Sequence, residues 1–210
     1  MITLHYSPST AALVVHWLLI ELEIPHTLKK VDLDAGEHKQ PPYLALNPAG
    51  LVPTLVIDGQ PIHEAAAIAL HLVDAYPARG LAPAPGTLAR AAYYQWMFYC
   101  ANTLQPAFRA WFYPTEPAGE ANVDAVKAQA RARIEAAWDR LDRHLAAHGP
   151  HLLGDAVSTA DFMLTMMMRW SRNMPRTANA WPALDRLAAA MKARPSFKEV
   201  YAREGLTDWT

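Results

Sequence analysis

The sequence predicts two parts: a small α/β domain ordered β-α-β then β-β-α, followed by an all-α helical bundle. Three observations carry this. Short β-favouring runs alternate with helical signals only as far as Tyr76. A stretch holding three prolines and two glycines, Pro77 to Gly86, then reads as a linker. Beyond it no convincing strand occurs, and apolar residues recur at helical spacing. The expected division is 1–77, a linker over 78–86, and 87–210.

Each element has its own signal. Ile2 to Tyr6 is a β-favouring run that Pro8 stops. Ser9 and Thr10 offer capping hydroxyls to a helix over Ala11 to Leu22, which is apolar on most faces and so is expected to be buried on both sides. His26 to Val31 is a second strand, and the polar, proline-closed Asp32 to Pro42 is a loop. Thr54 to Ile57 and Gln60 to His63 flank Asp58-Gly59, the strongest hairpin signal in the chain. Glu64 to Tyr76 is a helix. The first two strands are expected to be parallel across their helix, and the last two antiparallel.

In the second part, Thr87 to Trp111 is helical and rich in aromatic residues. Val123, Val126, Ala130, Ile134, Trp138, Leu141 and Leu145 mark one face of an amphipathic helix. Ser158 to Asp161 resembles a capping box, with Asp where Glu or Gln is usual. The helix it opens, Phe162 to Trp170, is apolar nearly all round and is expected at the centre of the domain. Shorter helices are expected after Pro182 and Pro195.

Composition narrows the function. Lys plus Arg number 19 and Asp plus Glu 20, which gives no electrostatic case for nucleic acid or an anionic membrane as partner. The one cysteine, Cys100, forbids an internal disulfide and fits a reducing compartment. The first residues lack the basic start and long apolar run of a signal peptide. The longest apolar run, Ala11 to Ile20, is too short to span a bilayer. A cytoplasmic protein without membrane attachment is expected. His144, His148 and His151 have near-metal spacing, but Gly149-Pro150 ends the helix between them, and no metal is expected.

Four stretches in order resemble the cytosolic glutathione S-transferases, in particular bacterial serine/threonine-type members similar to the phi, theta and delta-like classes. They are Tyr6-Ser7-Pro8-Ser9-Thr10; Gly36-Glu37-His38-Lys39 with Pro42-Tyr43-Leu44 and Asn47-Pro48; Gly50-Leu51-Val52-Pro53-Thr54-Leu55 with Glu64-Ala65; and Ser158 to Asp161 with Arg194-Pro195-Ser196. The resemblance covers essentially the whole chain. It implies a thioredoxin-like first domain that binds glutathione and a helical second domain that supplies an apolar substrate pocket.

The chemistry required is specific. A thiol attacks as its thiolate, and each pKa unit of lowering needs about 1.4 kcal/mol of thiolate stabilisation. A hydroxyl at a helix start can donate the necessary hydrogen bond. The resemblance assigns this to Thr10, two residues after the proline, with Ser9 as the alternative. It makes Val52-Pro53 a cis peptide whose Val52 backbone pairs with the cysteinyl part of glutathione. It gives Glu64 and the helix start at Ala65 to the γ-glutamyl group, and His38 and Lys39 to the glycyl carboxylate. Ala65 replaces the usual serine, so one hydrogen bond is lost. Ala11 stands where thiol-type classes carry cysteine. Aromatic residues crowd Tyr93 to Tyr113, so that one face is expected in the core and another is read as lining an apolar pocket for the electrophile, through some of Gln105, Phe108, Arg109, Phe112 and Tyr113. The resemblance also implies a homodimer, glutathione as co-substrate and a small apolar electrophile as partner. A glutathione-dependent isomerase or dehalogenase, or a non-catalytic binding module on the same fold, are the competing readings.

Overall fold

A computed structural model describes all residues, 1–210. Its contacts divide the chain into two units: Met1–Leu81 with Lys192–Thr210, and Ala82–Met191.

The first unit holds β1 (Ile2–Tyr6), α1 (Ala12–Glu21), β2 (Thr27–Lys30), α2 (Pro41–Leu44), β3 (Thr54–Ile57), β4 (Gln60–Ile62) and α3 (Ala65–Ala75). The sheet order is β2-β1-β3-β4. β1 and β2 are parallel, while β1–β3 and β3–β4 are antiparallel, as the order of signals implied. Leu4 and Leu55 face each other across β1 and β3 and are fully buried. Truncating either to Ala would cost about 2–5 kcal/mol. Pro61 sits in edge strand β4, where its missing N–H breaks no inner ladder. Asp58 and Gly59 both take positive φ, as a two-residue hairpin turn requires.

Along α1, every residue from Ala12 to Leu19 is buried. The expected loop over Asp32 to Pro42 is more ordered than its composition suggests. It contains a 3-10 turn at Glu37–Lys39 and leads into α2, whose first position, Pro41, needs no backbone donor.

Helices α4 (Leu88–Tyr99), α5 (Gln105–Phe112), α6 (Thr115–Ala118), α7 (Val123–His148), α8 (Thr159–Trp170) and α9 (Pro182–Lys192) follow, then α10 (Pro195–Glu204). The continuous helix expected over Thr87 to Trp111 is instead interrupted by a π-turn at Cys100–Leu104, where the Gln105 N–H bonds the Cys100 carbonyl. Pro106 lacks the N–H an unbroken α-helix would use there, which accounts for the wider turn. All twelve residues of α8 are buried. Asp161 caps it, accepting from the Ser158 N–H (2.8 Å), the Ser158 hydroxyl (3.0 Å) and the Leu152 N–H (2.9 Å).

Residues 192–210 join the first unit, although the sequence pattern extended the helical domain to 210. Side chains explain the grouping. The Trp17 indole donates to the Ser196 hydroxyl at 2.8 Å, and both Arg194 and Ser196 bond the Glu21 carboxylate. The Phe197 ring meets Trp17 edge-on at 5.1 Å.

Candidate active site

The sheet register gathers three backbone features at one end. His5 pairs with Thr54, and Leu55 pairs with Ile62. The turn after β1, the residues before β3 and the residues after β4 therefore lie side by side. These are Ser7–Thr10, Val52-Pro53 and Glu64-Ala65.

The middle feature is held by a closed polar network. Asn47, almost fully buried, donates to the Leu51 carbonyl (2.8 Å) and to the Thr54 hydroxyl (3.2 Å), and its own carbonyl accepts from the Ala49 N–H (3.1 Å). The Tyr43 hydroxyl also donates to the Leu51 carbonyl (2.6 Å) and lies 2.9 Å from that of Thr54. Since the Tyr43 proton goes to Leu51, Thr54 is the donor in that second contact. Burial, partly offset by the bonds with Thr54 and Asn47, raises the Tyr43 phenol and keeps it a donor. The Val52-Pro53 peptide is cis. Neither the N–H nor the C=O of Val52 is bonded within the chain. It offers both as an edge rung for an extended peptide.

Gly50 joins this loop to the 37–39 turn. At φ +60 it occupies a region L-residues rarely adopt, and an added Cβ would lie 2.8 Å from the His38 carbonyl oxygen and 2.9 Å from Lys39 Nζ. Lys39 Nζ donates to the Gly50 carbonyl at 3.0 Å. His38 is half-buried, with Nδ1 unbonded within the chain.

At Glu64 the backbone takes φ 66 and ψ 110, and α3 begins immediately after. No side chain caps this helix and its first turn holds no acidic residue. The Ile68 N–H is the first to bond, to the Glu64 carbonyl. The Ala65, Ala66 and Ala67 N–H groups thus have no partner within the helix, and with the helix dipole they offer an anion site.

The turn before α1 carries the hydroxyls. Ser9 is left-handed at φ 66. Its N–H donates to Glu204 Oε2 at 3.0 Å. Thr10 donates its hydroxyl proton to the Ser7 carbonyl (2.7 Å) and accepts from the Ala12 N–H (3.2 Å), which ties the turn to the first residue of α1.

The remaining sequence-selected residues lie in the second unit. Phe108 is fully buried against Trp138, Trp170 and Phe112, so it is core rather than pocket surface. Phe112 and Tyr113 are about half exposed. Arg109 pairs with Glu116 at 2.6 Å and lies over the Tyr113 ring. Gln105 is half-buried at the start of α5. Cys100 is fully buried, and burial raises its thiol to about 12, which leaves it inert. His16 and Glu204 had no sequence signal at all; they are 188 residues apart and meet at 2.9 Å.

Fold and site together define an α/β domain of thioredoxin type, with an unbonded strand-edge rung and an uncapped helix start at one sheet end, joined to a helical unit. Comparisons make this specific. Residues 8–75 match the glutathione S-transferase N-terminal domain, and residues 124–209 the C-terminal domain. Glutathione S-transferase GST-4.5 of Xanthomonas campestris pv. campestris is 31% identical over 204 residues, covering 97% of this chain and 98% of its own. The structure of a sphingomonad glutathione S-transferase complexed with glutathione matches with TM-score 0.86 and 32% identity, over 98% of this chain and all of that one. A glutathione transferase homologue from Sulfitobacter with bound glutathione matches with TM-score 0.90 and 27% identity, over 99% of both chains. The chain belongs to the glutathione S-transferase family, enzymes that transfer a glutathionyl group. The resemblance read from the four sequence stretches is thereby borne out. No helix is long and apolar enough to cross a membrane.

Proposed function

We propose that this chain conjugates glutathione to a small apolar electrophile, with Thr10 as the thiol-activating hydroxyl. The observation that carries the reading is the convergence of three features at one sheet end: the unbonded Val52 backbone, the uncapped start of α3, and the hydroxyl turn at the start of α1. Val52 and Pro53 form the rung for the cysteinyl residue. Glu64 takes the γ-glutamyl amine, and the N–H groups from Ala65 onward take its carboxylate. His38 and Lys39 serve the glycyl carboxylate. Thr10 transfers its hydrogen bond from the Ser7 carbonyl to the sulfur, because a bonded thiolate is a stronger acceptor than a carbonyl. Ser9 is the second candidate for that role.

In the reaction the thiol proton leaves to solvent, and the sulfur lone pair forms the new S–C bond. The leaving group departs with its bonding pair. A hydrogen bond to a charged partner contributes about 1.5–3 kcal/mol, roughly one to two pKa units for the thiol. Phe112 and Tyr113, with Gln105 and Arg109, supply the surface for the electrophile, and Phe108 supports it from the core. We further assign the protein to the cytoplasm as a homodimer. Retention on a glutathione-affinity column together with conjugation of chlorodinitrobenzene tests the reading. Neither retention nor turnover would point instead to a binding module.

A further inference from the structure

Glu204, the last residue of α10, is nearly buried and has both carboxylate oxygens engaged. Oε1 lies 2.9 Å from Nδ1 of His16, which is fully buried within α1. Oε2 accepts the Ser9 N–H at 3.0 Å. An acceptor on both sides requires the proton on His16 Nδ1. The carboxylate thus joins the middle of α1 to the turn that opens it. That turn needs support, because Ser9 stands in a left-handed conformation that a non-glycine residue adopts only when its surroundings impose it. Thr10 follows directly, so the Ser9 backbone sets where the Thr10 hydroxyl stands.

We infer that Glu204 is a positioning residue for thiol activation: clamped by His16, it holds the Ser9 backbone so that the Thr10 hydroxyl is aimed at the glutathione sulfur. The inference rests on the assignment of thiol activation to Thr10 or Ser9. Three observations agree with it. The helix carrying Glu204 is tied to α1 by the Trp17–Ser196 bond and by Glu21 with Arg194, so the carboxylate arrives on a rigid mount. The Tyr6 ring, at the end of β1, lies 5.7 Å from that of His16. Burial first, and the Glu204 charge second, raise the Tyr6 phenol, which places that charge beside the strand end from which the turn departs.

Reach, rather than charge, is what positioning demands, and this separates the variants. Glu204→Gln keeps the length: its amide oxygen accepts from Ser9 and its NH2 donates to His16 in the other tautomer. Glu204→Asp keeps the charge but withdraws it by one methylene. Glu204→Ala removes both. The experiment measures kcat with chlorodinitrobenzene, the glutathione dissociation constant, and the ultraviolet thiolate titration of bound glutathione. Glu204→Gln is expected to stay within about twofold of the parent kcat. Glu204→Asp and Glu204→Ala should lower it about tenfold and move the thiol titration up by about one pH unit, with the dissociation constant changed less than about twofold. If Glu204→Ala does not fold, the Asp and Gln variants decide. An unmoved thiolate titration in Glu204→Asp, or a Gln variant as impaired as the Asp one, overturns the inference. Failure of the underlying assignment looks different: the thiolate titration would then stay unchanged in both Thr10→Ala and Ser9→Ala.

Discussion

The Thr10 hydroxyl donates to the Ser7 carbonyl at 2.7 Å while accepting the Ala12 N–H at 3.2 Å. One oxygen therefore both secures the turn to the first residue of α1 and carries a proton that can pass to the sulfur. Thr10→Ala should cost about 1 kcal/mol of stability through the lost acceptor for the Ala12 N–H. It should also lower kcat about 10- to 100-fold through the lost bond to the thiolate. Thr10→Ser should restore both. Steady-state kinetics beside urea unfolding separate the two losses. A larger kcat loss in Ser9→Ala than in Thr10→Ala would move the role to Ser9.

Gly50 predicts a coupled loss of stability and affinity. Ala at this position meets the His38 carbonyl and Lys39 Nζ, and must hold φ +60. Gly50→Ala should destabilise the protein by about 1–3 kcal/mol. Displacing the His38–Lys39 turn should also weaken glutathione binding, read by calorimetry. A variant that loses stability yet binds glutathione normally would remove His38 and Lys39 from the site.

Ala65 predicts a gain. It is the first residue of α3, and no side chain caps that helix. A serine hydroxyl there would add a hydrogen bond to the γ-glutamyl carboxylate worth about 0.5–1.5 kcal/mol. Ala65→Ser should tighten the glutathione dissociation constant about two- to tenfold. An unchanged or weaker value argues that the peptide lies elsewhere.

Two histidines predict a pH slope. Burial first, with the nearby Lys29 charge, lowers the His5 pKa from 6.5. Burial also lowers that of His26, opposed in part by its bond to the Ile24 carbonyl. Both are therefore neutral in the fold at pH values where the unfolded chain already binds protons. Their contribution to stability is complete above about 6.5 and is lost as pH falls through the lowered folded values. Urea midpoints should drop as pH falls from about 6.5. His5→Gln combined with His26→Gln should flatten that drop.

Much of this fold is local in origin, and that part is readable. Pro8 stops β1, Asp58-Gly59 turns the hairpin, and period-3.6 patterning marks α7. The cis Val52-Pro53 bond came from family resemblance alone, since nothing in the dipeptide demands it. What stayed hidden is of three kinds. The π-turn at Cys100–Leu104 depends on where Pro106 falls against the ladder of a helix whose composition reads as continuous. The Ser9–Glu204 and His16–Glu204 contacts join residues 195 and 188 apart, and no local pattern encodes so distant a partner. Phe108 shows a third difficulty: an aromatic stripe signals burial or a pocket equally well until packing decides.

The membership of α10 in the first unit bears on the order in which the molecule is made. Trp17 leaves the ribosome early, but Ser196 and Phe197, which cover it, emerge only after the whole of the second unit. Nascent chains thus carry an open apolar seam on α1 through most of synthesis, a condition that favours chaperone capture. The Ser9–Thr10 turn is completed last, when Glu204 arrives. A chain stalled or clipped short of that residue would keep its sheet and lose the carboxylate that holds the Ser9 backbone to His16.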